Sequence, residues 1–134
     1  MWLAIDTSAG ICSAALIDEG AVVAAAAEHI GRGHDARLLP LIAALVDAQA
    51  RRPSAVAVCV GPGSFTGLRV GIAAARALGL AWAVPVHGFT ALSLAAAAGF
   101  GRGDAAGPLL AVADAGRGQL HAQIYNDLAG PCGA

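Results

Sequence analysis

AVAVCVGPGSFTGLRVG, residues Ala55–Gly71, is the stretch that decides the fold. Ala55–Val60 is a short run of small and β-branched apolar residues, the composition of a strand buried on both faces. Gly61-Pro62-Gly63 ends it with a turn, and Ser64 and Thr66 supply the short hydroxyl side chains that open a helix. A buried strand, a turn and a capped helix in that order form one β–α unit of an open α/β sheet. Sites on such sheets gather at the carboxyl ends of the strands, where glycines admit close approach and helix N–H groups stand free. Two common nucleotide fingerprints fail here. A P-loop requires a lysine before Ser or Thr, and the chain contains none. The pattern GxGxxG misses by one position, because Gly61 and Gly63 are followed by Thr66, with Gly67 one residue late.

Outward from this unit the pattern stays regular. Leu3–Asp6, Cys12–Ile17 and Val22–Glu28 read as three strands joined by a Ser-Ala-Gly turn and by Asp18-Glu19-Gly20-Ala21. A polar loop, Gly31–Asp35, precedes a helix whose apolar positions Leu38, Leu39, Ile42, Leu45 and Val46 follow helical spacing. Pro40 requires that helix either to start near Leu39 or to kink. The helix from Ser64 runs to about Trp82, a strand covers Val84–His87, and Thr90 caps an alanine-rich helix ending at Gly99. Gly101–Pro108 reads as a linker, and Leu109–Asp114 with Gln119–Tyr125 as a hairpin. The order is βββαβαβα, after which a second set of strands begins.

Composition narrows the class. The chain has 134 residues, with 57% hydrophobic and 4% aromatic, so its core must be built from small side chains. A net charge of −1 argues against a broad nucleic-acid-binding face, while a local arginine cluster stays open. Cys12, Cys59 and Cys132 are odd in number and contain no CxxC pair, so neither a disulfide framework nor a zinc knuckle is indicated. No basic stretch precedes an apolar segment at the N-terminus, which argues against a signal peptide. Ala77–Gly101 lacks Asp, Glu and Arg, but Pro85, His87 and Gly88 break it where a membrane span would have to continue. A soluble cytoplasmic protein is expected.

Ile5–Ser8 (IDTS), Cys12–Leu16 (CSAAL), Gly33–Ile42 (GHDARLLPLI), Gly61–Gly71 (GPGSFTGLRVG) and Asp114–Tyr125 (DAGRGQLHAQIY) together resemble the TsaB (YeaZ) family, in order and over nearly the whole chain. That family supplies the non-catalytic partner in bacterial threonylcarbamoyladenosine (t6A) modification of tRNA. The resemblance implies an α/β, actin-like (ASKHA, ribonuclease H-like) fold, with residues 1–105 as the N-terminal lobe and 106–134 as the beginning of a second. Family members continue through a full second lobe, and the final GPCGA resembles nothing in the pattern, so the chain is expected to be a fragment. That leaves the expectation of an unpaired edge and apolar surface at Leu109–Tyr125.

The related TsaD-type enzymes carry an HxxxH metal pair in the region of His87. Here His87 plus four is Ala91, and His29, His34 and His121 are scattered, so no metal, cofactor or catalytic residue is expected. No nucleophile sits in an activating motif, which leaves peptidase chemistry unsupported. Asp6, Thr7 and Ser8 match the actin-like position that approaches nucleotide phosphate through a metal ion. The competing role, Asp6 satisfying amides of its own turn, is favoured because the loop lacks paired glycines. In the helix after Ser64, Gly67, Gly71, Ala75 and Gly79 form a stripe of very small side chains that admits another helix. Leu68, Ile72 and Leu78 offer a larger apolar face for the sheet. The family resemblance implies that this helix and the preceding one mediate self-association and pairing with a TsaD-type subunit. The expected contact comprises Leu38, Leu39, Ile42, Leu45, Gly67, Arg69, Gly71, Ala75 and Leu78. The resemblance also implies a homodimer when the partner is absent and a TsaE-type ATPase reached through the complex, with direct tRNA contact left open and no membrane. A free-standing nucleotide-dependent actin-like enzyme, a small kinase or hydrolase, is the alternative.

Overall fold

The computed structural model describes residues 1–31, 33–103, 107–127 and 130–131. Strands β1 (Trp2–Asp6), β2 (Ile11–Asp18) and β3 (Ala21–His29) form the expected antiparallel meander. Strand β4 (Ala55–Cys59) runs parallel to β1 and pairs Leu3 with Val56 and Ile5 with Val58. Strand β5 (Val86–Phe89) joins parallel to β4, giving the order β3-β2-β1-β4-β5. Helices α1 (His34–Asp47) and α2 (Phe65–Trp82) both pack on one face of this sheet. This is the meander-plus-crossover architecture of an actin-like, ribonuclease H-like lobe.

Alternation along the strands builds the core. Leu3, Ile5, Cys12, Ala14, Leu16, Val56 and Val58 point to the helix side, where Leu38, Leu41, Ile42, Leu45 and Ala75 meet them. The opposite face carries smaller or polar side chains such as Ala4, Ser13, Ala15 and Ala25, with the Trp2 and His87 rings 5.1 Å apart. A bidentate pair, Arg37 to Glu28 at 2.7 Å on both arms, ties α1 to β3. At the opposite end of β2, Asp18 holds the N-terminal ammonium of Met1 at 3.2 Å and also pairs with Arg51.

Of the two alternatives at Pro40, the start near Leu39 does not hold, because α1 begins at His34, after Gly33 in the left-handed region (φ 88°). Pro40 is accommodated inside α1 on its exposed side, where the carbonyl one turn back can be hydrated. Strand β5 lies two residues later than the expected Val84–His87. Ala83 closes α2 in the left-handed region (φ 54°), and the Val84 amide donates to Gly79 O at 3.0 Å. Val84 is therefore part of the helix cap, and the strand starts beyond it.

Helix α3 (Ala91–Arg102) leads toward a second sheet of β6 (Leu109–Gly116), β7 (Gln119–Asp127) and β8 (Gly130–Pro131). The expected hairpin pairs Leu109 with Tyr125 and Val112 with Ala122. Its own core is small: Ala96 of α3 with Ala111 and Tyr125, flanked by Leu92, Phe100 and Leu109. The outer face of the hairpin exposes Leu110, Val112, Leu120 and Ile124. The boundary expected between residues 105 and 106, part of the Gly101–Pro108 linker, Cys132 and most of the GPCGA segment lie outside the described residues. Among the described residues, no helix is long and apolar enough to cross a membrane.

Candidate interaction site

The carboxyl end of β1 is where the parts of the first sheet converge. Asp6 closes its own turn, its Oδ1 accepting from the Ser8 amide at 2.8 Å. The three carbonyls that follow Thr7 each receive a donor from a different element. Ser8 O accepts from the Ser64 amide at 2.6 Å, ahead of α2, and Ala9 O from the Nε2–H of buried His34 at 3.0 Å, in α1. Gly10 O accepts from the amides of Ile30 and Gly31 at 3.1 and 3.0 Å, just past β3. The Thr7 hydroxyl donates to Gly67 O inside α2 at 2.7 Å. Ser64 itself caps α2, its side chain accepting from the Gly67 amide at 3.3 Å.

This arrangement answers two sequence expectations. Thr7 and Ser8 are 1% and 7% exposed, and the Thr7 hydroxyl is committed to α2. The side chains proposed to meet a nucleotide are therefore turned inward, and Asp6 serves its own turn. At the end of β4 the Cys59 thiol lies beside Ser8 and Asp6, pushed up chiefly by burial. Among the described residues, no group of three or more His, Cys, Asp or Glu side chains is placed to hold a metal ion.

The second expectation, a small-residue stripe facing a partner, is corrected. Gly67, Gly71, Ala75 and Gly79 are all buried against the chain's own sheet. A Cβ on Gly67 would collide with Thr7 O, one on Gly71 with Thr7 Oγ1, and one on Gly79 with a methyl of Val86. The stripe is where α2 lies backbone-close on β1, β4 and β5. Leu68, Ile72 and Leu78 flank it, half-buried. Of the remaining expected contact residues, Leu38, Ile42 and Leu45 are core, and only Leu39 and Arg69 are exposed.

What the two helices present outward is different. Phe65 is 74% exposed with the Arg69 guanidinium 4.8 Å from its ring centroid, and Leu80 at the far end is 86% exposed. Arg76 lies between them on the same side. Leu39, Ile42, Ala43 and Val46 of α1 face Leu78 and Trp82 of α2 across a groove of about 320 Å³. Asp47 and Arg52 close its end. A second cavity of about 560 Å³ opens between the starts of the two helices, lined by His34, Asp35, Ser64 and Thr66 among others. Sequence reasoning missed Phe65, Leu80 and Trp82. For Phe65 and Leu80 the signal was present in the arginines, since Arg69 and Arg76 must reach water and mark that side of α2.

The family model described as "TsaD: tRNA N6-adenosine threonylcarbamoyltransferase" matches residues 23–130. The tRNA threonylcarbamoyladenosine biosynthesis protein TsaB of Bacillus subtilis is 32% identical over 92% of this chain and 54% of its own length. That of Escherichia coli is 37% identical over the same shares. The chain thus spans about half the length of the curated relatives it matches. Among solved structures, YeaZ from Pseudomonas aeruginosa superposes with a TM-score of 0.87 at 31% identity, covering 99% of this chain and 64% of that one. A second, at 0.87 and 32%, is described as similar to the peptidase YeaZ and covers 99% and 63%.

Proposed function

Because the chain belongs to the TsaB (YeaZ) family, we propose that it acts in t6A biosynthesis as the non-catalytic partner of a TsaD-type enzyme. The observation that carries this reading is the outer face of α1 and α2. Exposed Phe65 and Leu80 stand on one side of α2 and Leu39 of α1 borders the apolar groove on another, with both helices hydrogen-bonded to the β1–β2 turn. Large apolar side chains at helical spacing, ringed by Arg69 and Arg76, suit a helix-on-helix contact with a partner. In the partner's absence the same face serves self-association. A TsaE-type ATPase is reached only through the complex, and the working compartment is the cytoplasm.

A catalytic role is not proposed for the chain itself. His87 is followed four residues later by Ala91, so the HxxxH pair of the TsaD-type enzymes has no counterpart there. The inward commitment of Thr7 weighs against a free-standing kinase or hydrolase. Peptidase chemistry has no activated nucleophile to support it.

The test is co-purification with the cognate TsaD-type subunit and reconstitution of t6A formation, using wild type and Leu80→Asp. Wild type is expected to bind and to raise t6A formation. Leu80→Asp should weaken binding at least tenfold and leave melting unchanged, because the side chain is exposed. Wild-type binding by the variant, or no binding by either protein, would overturn the reading.

A further inference from the structure

We propose that Thr7 is a positioning residue for the outer face of α2, fixing the rotation of that helix on the sheet. The inward face of α2 is Gly67, Gly71, Ala75 and Gly79, a surface without protruding side chains. Such a face packs closely, with Val70, Ile72 and Leu78 packed on the core beside it, and a directional contact sharpens the rotation about the helix axis that this packing allows. Among the described residues, the Thr7 hydroxyl makes the side-chain hydrogen bond that joins the β1–β2 turn to the body of α2. It occupies the notch between two glycines: Thr7 O is the atom nearest a Cβ built on Gly67, and Thr7 Oγ1 the atom nearest one on Gly71. Val58 stands on the far side, one of its methyls 3.5 Å from the Gly71 Cβ position.

Threonine fits both demands of this notch. Its hydroxyl is 1% exposed with its residue and must find an acceptor, and a helix carbonyl retains a second lone pair for it. Its Cβ lies 3.7 Å from the Gly71 Cβ position, so the side chain also fills space against the helix. Each residue along a helix turns the side chain by about 100°. A small rotation of α2 therefore re-aims Phe65, Arg69, Arg76 and Leu80 together, and a residue that never touches a partner governs what the partner meets. The partner half of this inference rests on the function proposed above, whereas the geometric half does not.

Thr7→Val keeps the shape and removes the donor, and Thr7→Ser keeps the donor and removes the methyl. Residual dipolar couplings of the α2 amides, referred to the sheet, read the helix orientation directly. Affinity for the TsaD-type subunit reads the consequence. Thr7→Val should shift or broaden the α2 couplings and weaken binding roughly five- to tenfold, the range set by losing one buried hydrogen bond. Thr7→Ser should restore both to within twofold of wild type, even if it melts earlier. Wild-type couplings in Thr7→Val, or a serine variant that behaves like valine, would overturn the proposal. If Thr7→Val does not fold, Gly71→Ala presses on the same hydroxyl and must move the α2 couplings, and unchanged couplings there count against it. If wild type binds no TsaD-type subunit, the partner reading falls while the couplings still decide the role of Thr7.

Discussion

Helices α2 and α3 follow successive parallel strands, yet they are attached to the molecule in different ways. α2 lies on its sheet through four small residues whose nearest neighbours include backbone and a hydroxyl, namely the carbonyl and side chain of Thr7. α3 buries only Ala96 fully and meets the second sheet through side-chain tips such as those of Leu92, Phe100 and Leu109. Backbone cannot give way, while the end of a leucine can. The same substitution should therefore have very unequal consequences in the two helices, and the contrast can be broken by experiment.

Gly67→Ala is expected to have the largest effect. The added methyl must displace the Thr7 carbonyl at the end of the central strand, and overpacking of this kind costs about 3 kcal/mol. A thermal or urea melt reads it, and a loss below about 1 kcal/mol would mean that α2 is held as loosely as α3. Thr90→Ala should cost about 1 kcal/mol in the same melt, because Thr90 and Ser93 form a reciprocal capping box at 3.0 and 3.2 Å. Gly99→Ala should change stability by no more than about 0.5 kcal/mol. The new methyl meets Leu109 Cδ1, which can rotate aside, and alanine's better helix propensity offsets the adjustment.

The smallest effect concerns acid. Asp18's carboxyl is held below its ordinary value, first by its hydrogen bond with the Met1 ammonium, with Arg51 contributing. A depressed carboxyl stabilises the folded chain above the unfolded value of about 3.9 and loses that contribution as pH falls through the folded one. Fluorescence of Trp2 and Trp82 on the first sheet, set against the single Tyr125 on the second, should show the first sheet loosening earlier in acid. Asp18→Asn should remove that part of the difference. Because Arg51 is exposed, raising salt should weaken its share and narrow the gap as well.

Much of this was legible in the residues. Apolar runs marked the five strands of the first sheet, and Ser64 and Thr90 marked two helix starts because a short hydroxyl has few competing roles before an apolar periodic run. The start of α1 was hidden because Gly33 offers no side-chain cap and Pro40 happened to fall on the solvent side. The end of α2 near Trp82 was legible, while the start of β5 was placed two residues early because a non-glycine residue, Ala83, takes the left-handed cap and draws Val84 into it. The inverted reading of α2 came from judging its faces by side-chain size. Gly67 and Gly71 lie two residues either side of Arg69, about 200° around the helix, so the charge marks the stripe as the inner face. The lock on Thr7 was not legible, since it joins residues 60 positions apart. Nothing local distinguishes a buried threonine that caps a turn from one that ties down a distant helix.

The two cysteines of the first sheet have a practical use of their own. Cys12 and Cys59 are fully enclosed, and burial raises both thiols, so the reactive thiolate is suppressed while the sheet is closed. With Cys132 replaced by serine, each alkylation event records an opening of the first sheet. Under slow labelling the rate reports the free energy of that opening, and under fast labelling its frequency. The chain thus carries an internal chronometer for one of its two sheets, readable by mass without any added probe in its core.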